Sequence, residues 1–266
     1  MKIVQRLATG VLVVIAALAV WPSVITTIPY DQQFRDHPGA PISRQFPLGT
    51  DELGRDRLSR LLHATRVSLV ASPAAALVST LLAAIVGGFA GFAGGRFDRT
   101  VAVVIDLMLS LPWLFVLIIV RALLPLNVQG ALSVAVTFGL IGLLGWPSAA
   151  RVVRTGCREL RDSDLVLQAR ACGLAPWRIL LKHILPNLRP VLFAQFWAAI
   201  PIYILAEANL GLLGLGVSDP LPSWGNLLRP LETAFTAPVE AWAPLALMLT
   251  AAACLYLSKP TEVGAR

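Results

Sequence analysis

Long stretches without a charged residue recur along this chain of 266 residues. A helix needs about 20 apolar residues to cross a hydrocarbon core of about 30 Å, and a spanning backbone must satisfy its own hydrogen bonds. The pattern therefore predicts an all-α integral membrane protein with about six transmembrane helices. The expected spans are residues 7–30, 67–95, 100–120, 122–150, 190–206 with a continuation toward 216, and 241–258.

The composition excludes a soluble enzyme or a disordered scaffold. Hydrophobic residues make up 56% of the chain and charged residues 14%, whereas soluble domains are about 45–50% apolar and about 25% charged. The net charge of +7 does not indicate a nucleic-acid partner here, because Lys and Arg also orient spans in a bilayer. The three cysteines lack the spacing of a zinc site or a disulfide framework, so no metal site is expected.

The basic residues predict the orientation of the chain. With the N-terminus in the cytoplasm, the inside segments hold most of the Lys and Arg residues, as the positive-inside rule requires. Residues 1–30 then form an N-terminal tail and the first helix, 31–66 an extracytoplasmic loop, 67–258 a five-helix transmembrane core with a cytoplasmic loop at 151–189, and 259–266 a cytoplasmic tail. The alternative for the first run is a cleaved signal peptide, but no convincing small-x-small site follows it.

The cytoplasmic loop at 151–189 is predicted to contain two short helices. Ser163 suits the N-cap of the first helix, and Asp164 suits its positive end. We expect that helix to cover residues 165–172 and to end at Gly173, because glycine accepts the left-handed conformation. Pro176 suits the first turn of the second helix, and Pro186 is expected to break it.

The second helix of the loop has an apolar face, formed at helical spacing by Trp177, Leu180, Leu181 and Ile184. Such a helix pair either lies on anionic lipid or docks a soluble partner. The side chains of the first helix are too small and polar to anchor in a bilayer, and small side chains let a partner approach closely, so we favour docking. These side chains are Gln168, Ala169, Ala171 and Cys172.

The segment DLVLQARACGLAPWRILLKHILPN, residues 164–187, resembles the cytoplasmic signature of bacterial ABC importer permeases. Leu167, Gln168 and Ala169 occupy the Glu-Ala-Ala positions of that signature, so its acidic residue is absent here. The version of the signature found in the peptide-importer branch is matched better. The matching positions are Asp164, Val166, Ala169, Arg170, Ala171, Gly173, His183, Pro186 and Asn187.

Further matches follow in the order that the family shows. Residues 46–69 resemble the segment before the second span in C-subunit-type permeases of dipeptide, oligopeptide and nickel systems. Asp106 and Pro112 match an Asp and a Pro of the third span, and residues 206–228 resemble the end of the fifth span and its outside loop. The usual family ending after Leu257 is missing.

The resemblance implies the fold and the partners of an ABC type I importer permease, which works by alternating access in a bacterial plasma membrane. The implied partners are a second homologous permease, ATP-binding subunits and an extracytoplasmic solute-binding protein. The chain has no GxxxxGK[ST] motif and hence no phosphate-binding loop, so we expect no catalytic site and no cofactor, with ATP bound by the partner subunits. The expected cargo is di- or oligopeptides, with nickel chelates, glutathione or haem-like compounds as alternatives.

The family motif also indicates which residues of the loop would couple the permease to the ATPase. They are Asp164, Leu167, Gln168, Ala169, Arg170, Gly173, His183 and Pro186. Glycines at the inner end of the second span predict close helix packing or a bend; they are Gly87, Gly88, Gly91, Gly94 and Gly95.

Three ionisable or polar residues within the spans are candidates for the translocation path: Asp106, Glu207 and Asn209. A charge in a span costs roughly 2.5–3.5 kcal/mol, so a structural ion pair is the alternative for Asp106. Arg121 is expected to reach the outer headgroups. A secondary transporter driven by an ion gradient would need more ionisable groups at mid-depth, and an intramembrane enzyme would need histidines within the spans, whereas all three lie in loops.

Overall fold

A computed structural model of the chain describes residues 2–125, 128, 130–233 and 242–258. In chain order its helices are α1 (Lys2–Val20), α2 (Pro22–Ile25), α3 (Arg57–Ala93), α4 (Gly95–Ser110), α5 (Trp113–Ala122), α6 (Ala131–Leu144), α7 (Trp146–Arg161), α8 (Asp164–Ala171), α9 (Pro176–Ile179), α10 (Leu185–Leu212), α11 (Trp224–Leu227) and α12 (Ala243–Leu257). A π-helical turn, Leu180–Ile184, joins α9 to α10, and a 3-10 turn, Arg229–Thr233, follows α11.

The long helices have the length and apolar composition of membrane spans. Four segments qualify alone, and they are Ile3–Val20, Arg57–Ala93, Ala131–Arg161 and Pro176–Leu212. The helices α4 and α5 qualify together as a bent pair, and α12 is apolar but has only 15 residues. The predicted all-α membrane fold class is thereby confirmed, with four or five candidate spans among the described residues where about six were expected.

The third predicted span is not one continuous helix. It consists of α4 and α5, which meet at an angle of 82°. Leu111, between them, has the extended ψ of 138° that a following proline favours, and Pro112 has no N–H with which to continue the hydrogen bonds of α4. The span predicted over residues 100–120 is therefore a bent pair of helices.

Three predicted boundaries were wrong. The first helix ends at Val20 rather than at residue 30, and α3 begins at Arg57 rather than at residue 67, so the predicted loop over residues 31–66 lies about ten residues earlier in the chain and contains the short helix α2. The fourth span continues through α7 to Arg161, within what was predicted as a loop. Charged residues end an apolar run but do not end a helix, because arginine is a good helix former.

The start of α3 is set by a local hydrogen bond that the apolar pattern does not reveal. The carboxylate of Asp56 accepts the backbone N–H of Ser59 at 2.9 Å, as an N-cap residue does. Burial raises the pKa of Asp56 above its usual value, and the N–H groups of Ser59 and Leu58 oppose that rise. The Ser59 hydroxyl in turn donates to the carbonyl of Ile28 at 2.7 Å, which fastens the preceding loop to the helix.

The described residues form two compact units. Unit 1 takes the described residues of 2–72, 118–139 and 200–258, and unit 2 takes residues 73–117 and 140–199. Within unit 1, α1 packs along α12, and Trp224 of α11 is completely buried. Within unit 2, α4 packs on α7, and the core contains Ala83, Ile105, Ala149, Ala150, Val153, Cys157, Val166, Ala169, Ile179, Ile184 and Leu188.

The glycines at the end of α3 allow a backbone-to-backbone contact with α7 in unit 2. A Cβ atom on Gly87 would lie 2.5 Å from the carbonyl oxygen of Ala150, and one on Gly91 would lie 2.5 Å from that of Arg154. Gly94 and Gly95 have positive φ angles, +68° and +62°, and turn the chain from α3 into α4. Both the close packing and the bend predicted from these glycines are confirmed.

We predict that Gly87→Ala lowers the melting temperature of the purified chain in detergent. Alanine is the better helix former by about 1 kcal/mol, but crowding a packed interface costs about 1–3 kcal/mol, and here the clash is with backbone. Gly139→Ala is the matched control, because a Cβ atom there would have no neighbour within 4 Å among the described residues. Equal melting temperatures for the two variants would show that α3 and α7 do not pack as described.

Candidate functional site

The first helix of the predicted docking loop is present as α8, and it has an inner and an outer face. Val166 and Ala169 are buried in unit 2, with exposed fractions of 0% and 6%. Leu165 and Leu167 point outward and are 44% and 52% exposed. Ala169, which we expected at the contact with a partner, therefore packs against its own chain, and its small size lets α8 lie close to the core.

Ser163 precedes α8 but does not cap it with its side chain. Its hydroxyl donates to the carbonyl of Leu160 at 2.6 Å, so the predicted side-chain cap was wrong although the start of the helix was right. The next carboxylate back along the chain, Asp162, is bonded to Arg161 at 3.0 Å. That hydrogen bond lowers the pKa of the exposed Asp162 carboxyl below its usual value.

Gly173 ends α8 as predicted, with a φ angle of +73°. Its N–H donates to the carbonyl of Arg170 at 2.9 Å, and the N–H of Leu174 donates to the carbonyl of Ala169 at 3.2 Å. These two bonds form the Schellman motif, which satisfies the last carbonyls of a helix and requires a residue that tolerates the left-handed conformation. The direction in which the chain leaves α8 is thus set by this glycine.

Pro186 does not break the second helix, contrary to the prediction. The helix from Pro176 to Leu212 is continuous over 37 residues. A π-helical turn lies immediately before Leu185, and the N–H of Leu185 donates to the carbonyl of Leu180. The wider backbone spacing of this turn accommodates Pro186, which has no N–H. The part of this helix before Pro186 is therefore the rigid extension of a membrane span.

The predicted apolar face of that helix is split between core and surface. Ile184 is fully buried, but Trp177 and Leu181 are 59% and 54% exposed. The guanidinium of Arg178 lies 5.1 Å from the centre of the Trp177 ring, within the range of a cation–π contact. The apolar face thus contributes Ile184 to the core of unit 2 and leaves Trp177 and Leu181 at the surface. His183 and Pro186 are half-buried, and Asp164, Gln168 and Arg170 are exposed.

Glu207, a candidate for the translocation path, is completely buried in unit 1. Its carboxylate accepts the hydroxyl of Ser223 at 2.6 Å and the N–H of Gly225 at 3.1 Å. A Cβ atom on Gly225 would lie 2.6 Å from the backbone oxygen of Glu207, so only glycine fits there. Glu207 thus holds the segment at the start of α11 and does not line a path in this structure, which corrects its assignment.

The two other path candidates are exposed in the chain. Asn209 bonds back to the carbonyl of Leu205 at 2.9 Å, and its place in the path stays a prediction. Asp106 is hydrogen-bonded to Arg151, so it has an ion-pair partner, and its place in the path also stays a prediction. Arg151 is a partner that the sequence analysis missed, because the two residues lie on different helices and no local spacing links them.

Several other polar contacts of unit 1 were also missed. Arg121, expected at the headgroups, is 1% exposed, and it donates to the carbonyls of Pro125 and Gly216 at 3.3 and 3.5 Å. The indole N–H of Trp224 donates to the Thr65 hydroxyl at 3.0 Å. These side chains join segments that are far apart in sequence, so only the fold reveals them.

Comparison with known proteins agrees with this architecture. Residues 83–258 match the family described as binding-protein-dependent transport system inner membrane component. The dipeptide transport system permease protein DppC of Bacillus subtilis is 36% identical over 185 residues, which is 70% of this chain and 56% of that protein. The nickel transport system permease protein NikC of Escherichia coli K12 is 33% identical over 251 residues, 92% of this chain and 87% of the relative. The glutathione transport system permease protein GsiD of Pectobacterium atrosepticum is 32% identical over 250 residues, or 91% and 80%.

The match to this family, together with the candidate membrane spans, places the chain among membrane-embedded transport components. The chain belongs to the family of binding-protein-dependent transport system inner membrane components, the ABC importer permeases of the dipeptide, oligopeptide and nickel group. The resemblance inferred from sequence is confirmed. The chain spans little more than half of the DppC relative, 56%, and 69% of the oligopeptide permease OppC of Bacillus subtilis.

We predict that Glu207→Ala lowers the melting temperature in detergent, because it leaves two buried donors unpaired at about 1–3 kcal/mol each. Glu207→Gln keeps one acceptor oxygen and is expected to lose less. Asn209→Ala, which removes only an exposed bond to the preceding turn, is the control. Hydrogen exchange at Gly225 should quicken in Glu207→Ala alone; unchanged exchange there would contradict the proposed anchoring.

Proposed function

We propose that this chain is the permease subunit of an ATP-driven importer and that it forms the translocation path together with a second homologous permease. In this proposal ATP-binding subunits dock on the loop around α8, and an extracytoplasmic binding protein delivers the cargo. The chain itself binds no nucleotide and hydrolyses none, in keeping with its relatives, which are transport components.

The observation that carries the proposal is that α8 is packed against the core on one face and exposed on the other. Its inner face is fixed by Val166 and Ala169, while its outer face presents Leu165 and Leu167. At its C-terminal end Gly173 and the continuous helix from Pro176 hold it in place. A short helix that is packed on one face and exposed on the other is suited to transmit a partner's movement to a membrane span.

The exposed side of this loop favours a protein partner over lipid. Leu167 shares the outer surface of α8 with Gln168 and Arg170, and so mixed a surface anchors poorly in a bilayer, where an interfacial helix needs a continuous apolar face. Protein interfaces combine apolar contacts with arginine and polar groups. If the partner is a protein, an added positive charge on α8 should weaken binding. If α8 rests on anionic lipid, the same charge should be tolerated or should strengthen binding.

For the cargo we propose di- and oligopeptides. The sequence signature of residues 164–187 is closer to the peptide-importer version, and relatives named for dipeptide and oligopeptide transport are 36% and 31% identical. Relatives named for nickel and glutathione transport are 33% and 32% identical over more of the chain, so nickel chelates and glutathione are the alternative cargoes. Uptake assays with the reconstituted complex would separate these cargoes.

We predict that Leu167→Arg releases the ATP-binding subunits when these are co-expressed and the tagged chain is purified. A charge in a docking groove removes an apolar contact and buries an unpaired cation, while the folding of α8 is unaffected because residue 167 points outward. A helix resting on anionic lipid would tolerate this change or bind lipid more tightly. Full retention of the ATPase together with full transport would therefore refute docking at α8.

Gly173→Val is the second variant of the same experiment. In the described part of the chain no atom lies within 4 Å of a Cβ placed there, so the effect of valine comes from the left-handed backbone alone, about 1–2 kcal/mol. We expect normal membrane insertion with reduced coupling of ATP hydrolysis to transport. Gly139→Val, at a helical glycine with similar open space and no positive φ, controls for the added side chain.

For the orientation we propose that both termini and the α8 loop are cytoplasmic and that the loop before α3 is extracytoplasmic. Single cysteines at Ser43 and Glu159, both exposed, are expected to react with an impermeant thiol reagent from opposite sides of the membrane. The background lacks the native Cys157, Cys172 and Cys254. Reaction of both cysteines from the same side would overturn the topology.

A further inference from the structure

The level at which α7 lies beside α3 follows from their close contacts in unit 2. Gly87 meets the carbonyl of Ala150, and Gly91 meets the carbonyl of Arg154. At this same level α3 presents two large apolar side chains, Ile85 and Phe89, which are 66% and 54% exposed. Outward-facing apolar side chains on a membrane span contact lipid or a second membrane subunit. The stretch of α7 from 150 to 154 therefore lies beside the apolar inner end of α3.

The outward face of α7 at this level is polar. Residues three, four and seven apart share one face of a helix, and the exposed positions of α7 follow that spacing. These positions are Ser148, Arg151, Val152, Thr155, Arg158 and Glu159, so Val152 is the one apolar residue among them. The opposite face of α7 is buried in the core. We call Ser148, Arg151 and Thr155, together with Asp106 of α4, the polar stripe.

The polar stripe contains an ion pair that is open to its surroundings. Arg151 donates to Asp106, yet the two side chains remain 52% and 64% exposed. The neighbouring pair of Arg154 and Asp98 is different, because its side chains are only 15% and 11% exposed. The Arg154 pair is a structural contact between α7 and α4. The Arg151 pair keeps a carboxylate oxygen and guanidinium N–H groups available to another molecule.

Hydrocarbon does not accept an exposed ion pair, and charged residues within membrane spans mark cavities and substrate pathways. We propose that the polar stripe is a wall of the water-filled translocation path, and that Asp106 and Arg151 bind the charged ends of a zwitterionic cargo. This inference rests on the proposed peptide-import function. The Asp106 carboxylate suits the ammonium group of a short peptide, and the Arg151 guanidinium suits its carboxylate, which arginine binds with two parallel hydrogen bonds.

The first test measures the access of water to the stripe in membranes that contain the assembled complex. Thr155→Cys and Ile85→Cys are compared in the background Cys157→Ala, Cys172→Ser, Cys254→Ala. We expect an impermeant methanethiosulfonate to modify Thr155→Cys about tenfold faster or more, because a hydrated thiol ionises and a lipid-facing one does not. Equally slow reaction at both positions would mean that lipid covers the stripe. Reaction in the isolated chain but not in the complex would mean that the second permease covers it.

The second test exchanges the charges and follows uptake of labelled dialanine by the complex. Asp106→Asn and Arg151→Gln are each expected to raise KM about tenfold, through loss of one charge-assisted hydrogen bond. The double variant Asp106→Arg with Arg151→Asp restores an ion pair but reverses the site, so the proposal predicts that uptake stays impaired. Normal uptake by the double variant would show that the pair is only structural.

A matched control for the second test is the buried pair. Asp98→Asn is expected to lower the melting temperature without a specific change in KM, since Asp98 is shielded by Arg154 and Arg158. If the wild-type complex takes up no dialanine, the proposed cargo is wrong, while the thiol reaction still decides whether the stripe is hydrated.

Discussion

Unit 2 depends on the close approach of α3 and α7. Lipid provides no hydrophobic drive between spans, so helices associate through dense packing and interhelical hydrogen bonds, which small residues permit. Gly87 and Gly91 bring the two backbones together, and the thiol of Cys157 donates to the carbonyl of Gly88 at 3.1 Å. Because α7 ends at Arg161 and α8 begins at Asp164, the position of α8 follows from this contact. The same contact fixes the level of the polar stripe.

Unit 1 is organised by polar groups that satisfy one another inside the protein. Glu207 accepts from Ser223 and Gly225, while the hydroxyl of Ser133 on α6 accepts the N–H of Ser218 at 2.8 Å. The segment between α10 and α11 contains no long helix. It can be buried at the end of the membrane spans only if its backbone and side-chain polar groups are hydrogen-bonded. Glu207 is thus a structural residue, whereas Asp106, the other acidic candidate for the path, stays exposed beside Arg151.

Features that depend on one residue or one short stretch of sequence were predicted correctly. The end of α8 at Gly173 follows from the conformational freedom of one residue, and the glycine-rich end of α3 follows from the absence of side chains. The prediction was wrong at Pro186, where the missing N–H of the residue competes with the packing of the surrounding helix. Pro112 bends its span, whereas Pro186 is carried through by a π-helical turn. Both prolines carry the same local signal, and the surrounding packing decides between the two outcomes.

The amino-acid sequence by itself determined the membrane-spanning all-α class, the order of the apolar segments, the helix–glycine–helix loop and, through its motifs, the family. The reason is that hydrophobic period, length and capping act within a few turns of chain. The tertiary structure alone decided that Ala169 faces inward, that Glu207 is buried and that Asp106 meets Arg151. The environment of a side chain is set by elements far away in sequence, so whether a charge serves packing or function becomes visible only when the helices are assembled.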